Sequence, residues 1–286
     1  MYHGVRLKAD YKQLWVEGMK DWNGGLSERM TDDEKEEAFW QTFLQEKKGE
    51  PDAYSAGIRE ELLRYIAPGD DVLEIGPGWG NYTFSVAEKA AAMTCVDSSR
   101  SVLDFLQKEA AGKGLRPMEM IHAKWEQYTP GRQYDVVFGV NCFYRMEDIE
   151  QTLLHMNEAA RKYAVIGWTS GPERPHLLDF HQELGVKVKF QRRDYIHLTN
   201  LLYELGIDTN CKILELERNY LYASKEELLR SCLKDIIDPS YDRKAAEDIV
   251  LRHVTIEDGV YSYKHRFKTA LLHWKPDAGY KPAIRQ

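Results

Sequence analysis

Cysteine is scarce in this chain. Cys95, Cys142, Cys211 and Cys232 are the four in 286 residues, and they form neither a CxxC pair nor a zinc spacing. A disulfide scaffold is thereby excluded, and a reducing compartment, the cytoplasm, is the expected location. No HExxH and no close carboxylate pair with histidine at ligand spacing occurs, so no metal site is expected. Long apolar runs are missing too. The longest mostly apolar stretch, 134–144, is too short to span a bilayer, and residues 1–10 hold no apolar run, which argues against a secretory leader. Positive charge is in deficit: 39 Lys+Arg against 46 Asp+Glu give a net charge of −7. That balance argues against bulk nucleic-acid binding, though not against a local basic patch. Repeats and low-complexity tracts are absent. What is there is ordinary for a folded protein, with 43% hydrophobic and 30% charged residues and length for one large domain or a domain with a smaller companion.

The first fifty residues read as helices and turns. Thr31-Asp32-Asp33-Glu34 has the pattern of a capping box, with Thr31 as the cap of a helix running through Phe39-Trp40 and Phe43-Leu44. From about residue 54 the pattern becomes an alternation of helices and short apolar strands. Strands are expected at 71–75, 93–96, 118–121, 134–140 and 163–168, with helices at 58–66, 81–92, 99–111 and 148–162 between them. Continuous apolar strands alternating with helices imply a mostly parallel sheet covered on both faces. After residue 170 the spacing loosens. Helices are expected at 177–184, 194–205, 224–237 and 245–254, and strands at 212–222 and from 261 to about 274. Gly206 stands where a left-handed helix stop belongs, and Ser224-Lys225-Glu226-Glu227 is a second capping box.

The segment with chemical content is Glu74-Ile75-Gly76-Pro77-Gly78-Trp79-Gly80. A buried strand delivers its end to a glycine turn, and the next helix aims its free N–H groups at whatever the turn holds. The spacing is GxGxG rather than the GxGxxG of dinucleotide folds, and Asn81 occupies the place of the third glycine. Glu74 at the strand end suits a cationic ammonium better than a pyrophosphate. Asp97, about twenty residues on at the end of the second strand, can accept both hydroxyl hydrogens of a ribose. Nicotinamide enzymes use the same device, so Asp97 alone indicates only a nucleoside cofactor.

On these residues, with Asp97 and the fourth-strand segment Tyr134-Asp135-Val136-Val137-Phe138, the chain resembles the class I S-adenosylmethionine-dependent methyltransferases over about residues 54–170. The resemblance implies a doubly wound, mostly parallel seven-stranded sheet with an antiparallel last strand. It carries an N-terminal helical extension, 1–53, and a helical insertion between the last two strands. It also implies S-adenosylmethionine as cofactor. Glu74, Gly76, Pro77, Gly78 and Gly80 would hold its methionine end, Asp97 the ribose and Ser98 the edge of the adenine. The family often keeps an acid near the adenine amino group, but Lys124 stands there, so backbone N–H groups and the Trp125 ring are the expected contacts. Asn141, just past the fourth strand, would face the methionine moiety or the acceptor.

Plainer readings compete at several positions. Glu74 could be a solvated strand-end acid and Asp97 a simple helix cap. Asn141-Cys142-Phe143-Tyr144 lacks both prolines of the Asn-Pro-Pro-Tyr motif of nucleic-acid amino-methylating enzymes. Arg192-Arg193 reads more readily as a solvated turn than as a subsite for an acidic substrate. The aromatics Tyr11, Trp15, Trp22, Phe39 and Trp40 read as core before lid. Three segments, 1–53, 171–193 and 223–258, are expected as covers at the carboxyl edge of the sheet within a domain spanning 54–286. Three covers imply a closed pocket and a small-molecule acceptor, with Tyr144, Arg145 and His176 as pocket candidates and no catalytic residue identified. The alternatives are a protein or RNA methyltransferase and a non-catalytic cofactor-binding sensor or scaffold; a dehydrogenase is the weakest reading. The oligomeric state is left open.

Overall fold

The fold is described from a computed structural model, over residues 9–20, 24–47, 49–189 and 195–276. Trp22, Arg192, Arg193 and Asp194 lie outside the described residues. The chain divides into two compact units. The first comprises residues 1–168, 193–212 and 270–286, and the second 169–192 and 213–269.

The first unit opens with α1 (Tyr11–Met19), capped by Asp10, then α2 (Glu28–Thr31) and α3 (Asp33–Leu44). The capping residue of α3 is Asp32, whose carboxylate accepts the N–H groups of Glu34 and Lys35, and not the expected Thr31. Thr31 is consumed as the last residue of α2, where its hydroxyl donates to the Glu28 carbonyl. After α4 (Ala56–Leu62) come β1 (Asp71–Ile75), α5 (Thr83–Lys89), β2 (Ala92–Asp97), α6 (Arg100–Gly112), β3 (Glu119–His122), β4 (Tyr134–Val140), α7 (Ile149–Ala159) and β5 (Ala160–Ser170). The helix expected over 148–162 stops at Ala159, because the strand claims Ala160 onward through pairing with Tyr134.

The remaining elements are α8 (Pro175–Leu184), α9 (Tyr195–Glu204), β6 (Asn210–Tyr222), α10 (Lys225–Leu233), α11 (Arg243–Arg252), β7 (Val254–Glu257) and β8 (Val260–Trp274). Gly206 takes φ +72°, and the Ile207 N–H returns to the Leu202 carbonyl, closing α9 as expected. Ser224 caps α10 by accepting the Glu227 N–H, but α10 ends at Leu233 rather than near Ile237.

The strand order is β3-β2-β1-β4-β5-β8-β6, with β7 paired to β8 off that path. β1 is parallel to both β2 and β4, β2 to β3, and β4 to β5. The expected doubly wound sheet is present, with an eighth strand added. β7 forms an antiparallel hairpin with β8 through Asp258 and Gly259, both at positive φ. An Asp-Gly pair between extended runs is the local signal for such a turn. The expected helix over 245–254 runs instead from Arg243 to Arg252 and releases Val254 to the hairpin.

In the doubly wound sheet the strands are added outward in one direction from β1 to β3 and in the other from β4 to β5, all parallel, so a crevice opens at the carboxyl ends of β1, β2 and β4 where that order switches. The core below it holds Leu73, Ile75, Val96, Val137 and Ile166 from the sheet with Leu153 and Met156 from α7. Trp15 of α1 belongs to this core, 1% exposed, with its Nε1 donating to the Met146 carbonyl at 2.8 Å. The second unit has its own core, which includes Phe180, Leu228, Cys232, Ile249 and Tyr263.

Candidate active site

β1 runs in register between β2 and β4, placing Glu74 beside Cys95 and Phe138. The side chain is 1% exposed, and its Oε2 accepts the Thr83 hydroxyl at 2.6 Å. Burial pushes its pKa up to about 8; the Thr83 bond works against that, and the charge of Asp97 adds to it. Asp97 ends β2. Its carboxylate accepts the Ser99 N–H at 2.8 Å and also the Gly78 N–H. Burial, with Glu36 and Glu37 nearby, pushes it up to about 7 against those two bonds.

The turn between the two acids is bare backbone. Gly76 has φ +59°, and a Cβ there would collide with the side chain of Cys142. Gly78 has φ +55°, and a Cβ there would stand 3.3 Å from Cη2 of Trp40. Gly80 donates its N–H to the Pro77 carbonyl, which tightens the turn. Asn141 leaves β4 at φ +54°, exposed, with its N–H on the Gly167 carbonyl.

A cleft of about 680 Å³ lies between α3 and the segments that follow β2 and β3. Glu37, Ala38 and Gln41 of α3 line one side, and Ser98, His122, Ala123 and Lys124 line the other. The His122 Nε2 donates to the Ser98 carbonyl at 3.0 Å. Lys124 pairs with Asp33 at 2.8 Å, so an acid does stand near the expected adenine edge, supplied by α3. The hydrogen bond from Lys124 holds the Asp33 carboxyl below its usual range, with Arg145 contributing.

Trp125 requires a correction. Its ring is 2% exposed within the core, packed near Tyr128 and His155, and its Nε1 donates to the Thr152 carbonyl of α7. In sequence, a ring that follows a strand end has the place of a cofactor contact; burial against α7 makes Trp125 a core residue instead. Among the pocket candidates, Tyr144 donates to Glu36 at 2.6 Å, and Arg145 bonds Asp33 at 2.6 Å. Both therefore meet the N-terminal helices. His176 belongs to the second unit, fully buried, with Nδ1 on the Tyr263 hydroxyl at 2.7 Å. Burial pulls its pKa down to about 3.

Sequence reasoning misses Thr83, Glu36 and Glu37, and it reads Trp40 as core before lid, whereas its ring is half-buried against Gly78 and Trp79. Thr83 had a legible signal, being a polar residue at the start of the helix after the glycine turn. Glu36 and Glu37 had none, because nothing in a helical pattern tells which distant loop its face will meet. Glu37 accepts both the backbone N–H and the hydroxyl of Ser101, while Trp40 and Phe43 pack on Trp79. Among the described residues no cluster of His, Cys, Asp and Glu could hold a metal ion, and no helix is long and apolar enough to cross a membrane.

The site suits a ligand with an ammonium at one end and vicinal hydroxyls at the other. Two buried acids, each held by neutral donors, flank a turn open enough for close backbone approach. Comparison with known proteins agrees. Residues 72–163 match the family described as "Methyltransferase domain". They form a class I S-adenosylmethionine-dependent methyltransferase domain. An uncharacterized protein of Haemophilus influenzae is 27% identical over 222 residues, 72% of this chain and 79% of that one. Ribosomal RNA small subunit methyltransferase A of Magnetococcus marinus is 42% identical over 91 residues, which cover 32% of this chain and 30% of that enzyme. Among solved structures, the YcgJ protein of Bacillus subtilis superposes with a TM-score of 0.53 at 13% identity, over 79% of this chain and all of that one, and so shares the fold of this methyltransferase.

Proposed function

We propose that this methyltransferase acts on a small molecule, held under a cover that the N-terminal segment supplies. The observation that carries the reading is the placement of α3. Its Trp40 lies against Gly78, its acids are tied to the first turn of α6 and to the turn after β4, and Glu37, Ala38 and Gln41 form one side of the cleft. A crevice narrowed in this way admits a small acceptor more readily than a duplex or a folded protein. The acids Asp33, Glu34 and Glu37 on the cleft offset its Arg100 and Lys124, with Asp33 paired to Lys124, so the lining lacks the basic excess that a phosphate backbone requires.

In this reading Glu74, Gly76, Pro77, Gly78 and Gly80 hold the methionine end of the cofactor and Asp97 its ribose. Ser98 and Lys124 border the adenine, and Asn141, Tyr144 and Arg145 border the acceptor. S-adenosylmethionine supplies, when bound, a methyl group already activated by a positively charged sulfur. The protein's task is then alignment and exclusion of water, which α3 serves. His176, held neutral by burial, is left out of the set as a poor base. A cytoplasmic location accords with four free cysteines.

The 42% identity to a ribosomal RNA enzyme favours a second reading, RNA methylation. That likeness spans 32% of this chain and 30% of the RNA enzyme. The test is to incubate the protein with methyl-labelled cofactor and a cell extract, then fractionate the label by size. Label in the small-molecule fraction supports the proposal. Label in RNA or protein overturns it. Binding of S-adenosylhomocysteine without any transfer indicates a sensor or scaffold and overturns it equally.

A further inference from the structure

Glu36 is a buried carboxylate for which cofactor binding has no direct use. It is 3% exposed, on a helix whose three preceding residues are exposed. Three donors converge on it. Arg29 Nε of α2 reaches Oε2 at 2.8 Å, Trp40 Nε1 reaches Oε1 at 2.9 Å, and the Tyr144 hydroxyl reaches the same Oε1 at 2.6 Å. These partners come from the preceding helix, from the next turn of α3 and from the turn that follows β4. Trp40, held in this way, presents the far edge of its indole to Gly78. Burial, with Glu36 beside it, pushes the Tyr144 hydroxyl well up, so it stays a donor.

A buried acid–guanidinium pair is a weak source of stability, because desolvation offsets the attraction; geometric constraint is its better-attested use. Both donors on Oε1 belong to side chains at the cofactor crevice. We propose that Glu36 is a positioning residue of the methyltransferase. By gathering Trp40 and Tyr144 on one carboxylate oxygen it fixes α3 as a lid over the glycine turn and slows the escape of cofactor and demethylated product. The proposal rests on the cofactor assignment above.

The test is Glu36→Gln, which keeps the shape but replaces one acceptor oxygen by a donor. S-adenosylhomocysteine should dissociate about tenfold faster in stopped flow, the effect of losing one charge-assisted hydrogen bond. KM for the cofactor should rise more than kcat falls, and the change in tryptophan emission on binding should shrink. Tyr144→Phe should move the off-rate in the same direction by less, and the double variant should be no worse than Glu36→Gln, because the two act through one contact. A lowered melting temperature with a wild-type off-rate would make Glu36 merely structural and overturn the role. If Glu36→Gln fails to fold, Tyr144→Phe removes one donor and keeps the ring, and Trp40→Phe removes the other donor together with the indole edge at Gly78; unchanged off-rates in both overturn it as well. Wild-type protein that fails to bind S-adenosylhomocysteine overturns the cofactor assignment and this role together, whereas tight wild-type binding with unaltered variants overturns the role alone.

Discussion

Glu74 and Asp97 are carboxyl groups pushed up to about 8 and about 7 because they are buried without a cation. An acid whose pKa is raised on folding favours the folded state while both forms are protonated. That contribution fades as pH rises from the ordinary carboxylate range through 7 to 8. A ligand that donates from an ammonium and from hydroxyls prefers both acids ionised, so its binding must expel protons. The groups facing them include Thr83 and Tyr82 near Glu74, Cys95 and Cys142 near both acids, and Glu36, Glu37 and Tyr144 near Asp97. S-adenosylhomocysteine is therefore expected to bind more tightly from pH 6 to pH 8 and to level off above. Calorimetry in buffers of different ionisation enthalpy should register proton release, and Glu74→Gln should flatten the profile. At Gly76 the backbone is left-handed and Cys142 fills the space a Cβ would need. Gly76→Ala is expected to cost about 1–3 kcal/mol in strain and to abolish cofactor binding, measured by thermal melting and calorimetry.

At the scale of elements, α3 decides most about the site. Its start is fixed by Asp32, so Asp32→Ala should cost about 1 kcal/mol of stability, seen as a lowered melting temperature. It should also weaken cofactor affinity, since fraying of the first turn frees Asp33 from Lys124 and Arg145. This cap shows how far local reading reaches. Ser224 and Gly206 acted where their residue types predict, because capping depends on neighbours within four positions. Thr31 lost its place to Asp32 by one residue, because the preceding helix had a competing use for its hydroxyl. Asp258-Gly259 was equally local, but the helical pattern before it masked the strand it creates.

For the whole molecule, the N-terminal segment is part of the first unit and its core. Trp15 packs 5.3 Å from the ring of Trp168 and donates to Met146. Trp15→Ala should cost about 3–5 kcal/mol, by analogy with other buried aromatic truncations, and denaturant unfolding should show it. A free-standing cap would give no such loss.

Sequence alone determined the build of the glycine turn and the two acids that flank it. A strand-end acid, a glycine turn and a second acid one strand over lie within 24 residues, from Glu74 to Asp97, and their placement follows from short-range geometry. The doubly wound order was legible for a related reason, since each parallel crossover needs a helix and each buried strand must be apolar on both faces. Tertiary structure alone decided which distant residues close the crevice. Glu36 meets Tyr144 across 108 positions, and Asp33 meets Arg145 across 112. Such pairings depend on how a whole helix docks, and a helical pattern specifies which face is buried without naming the surface that buries it.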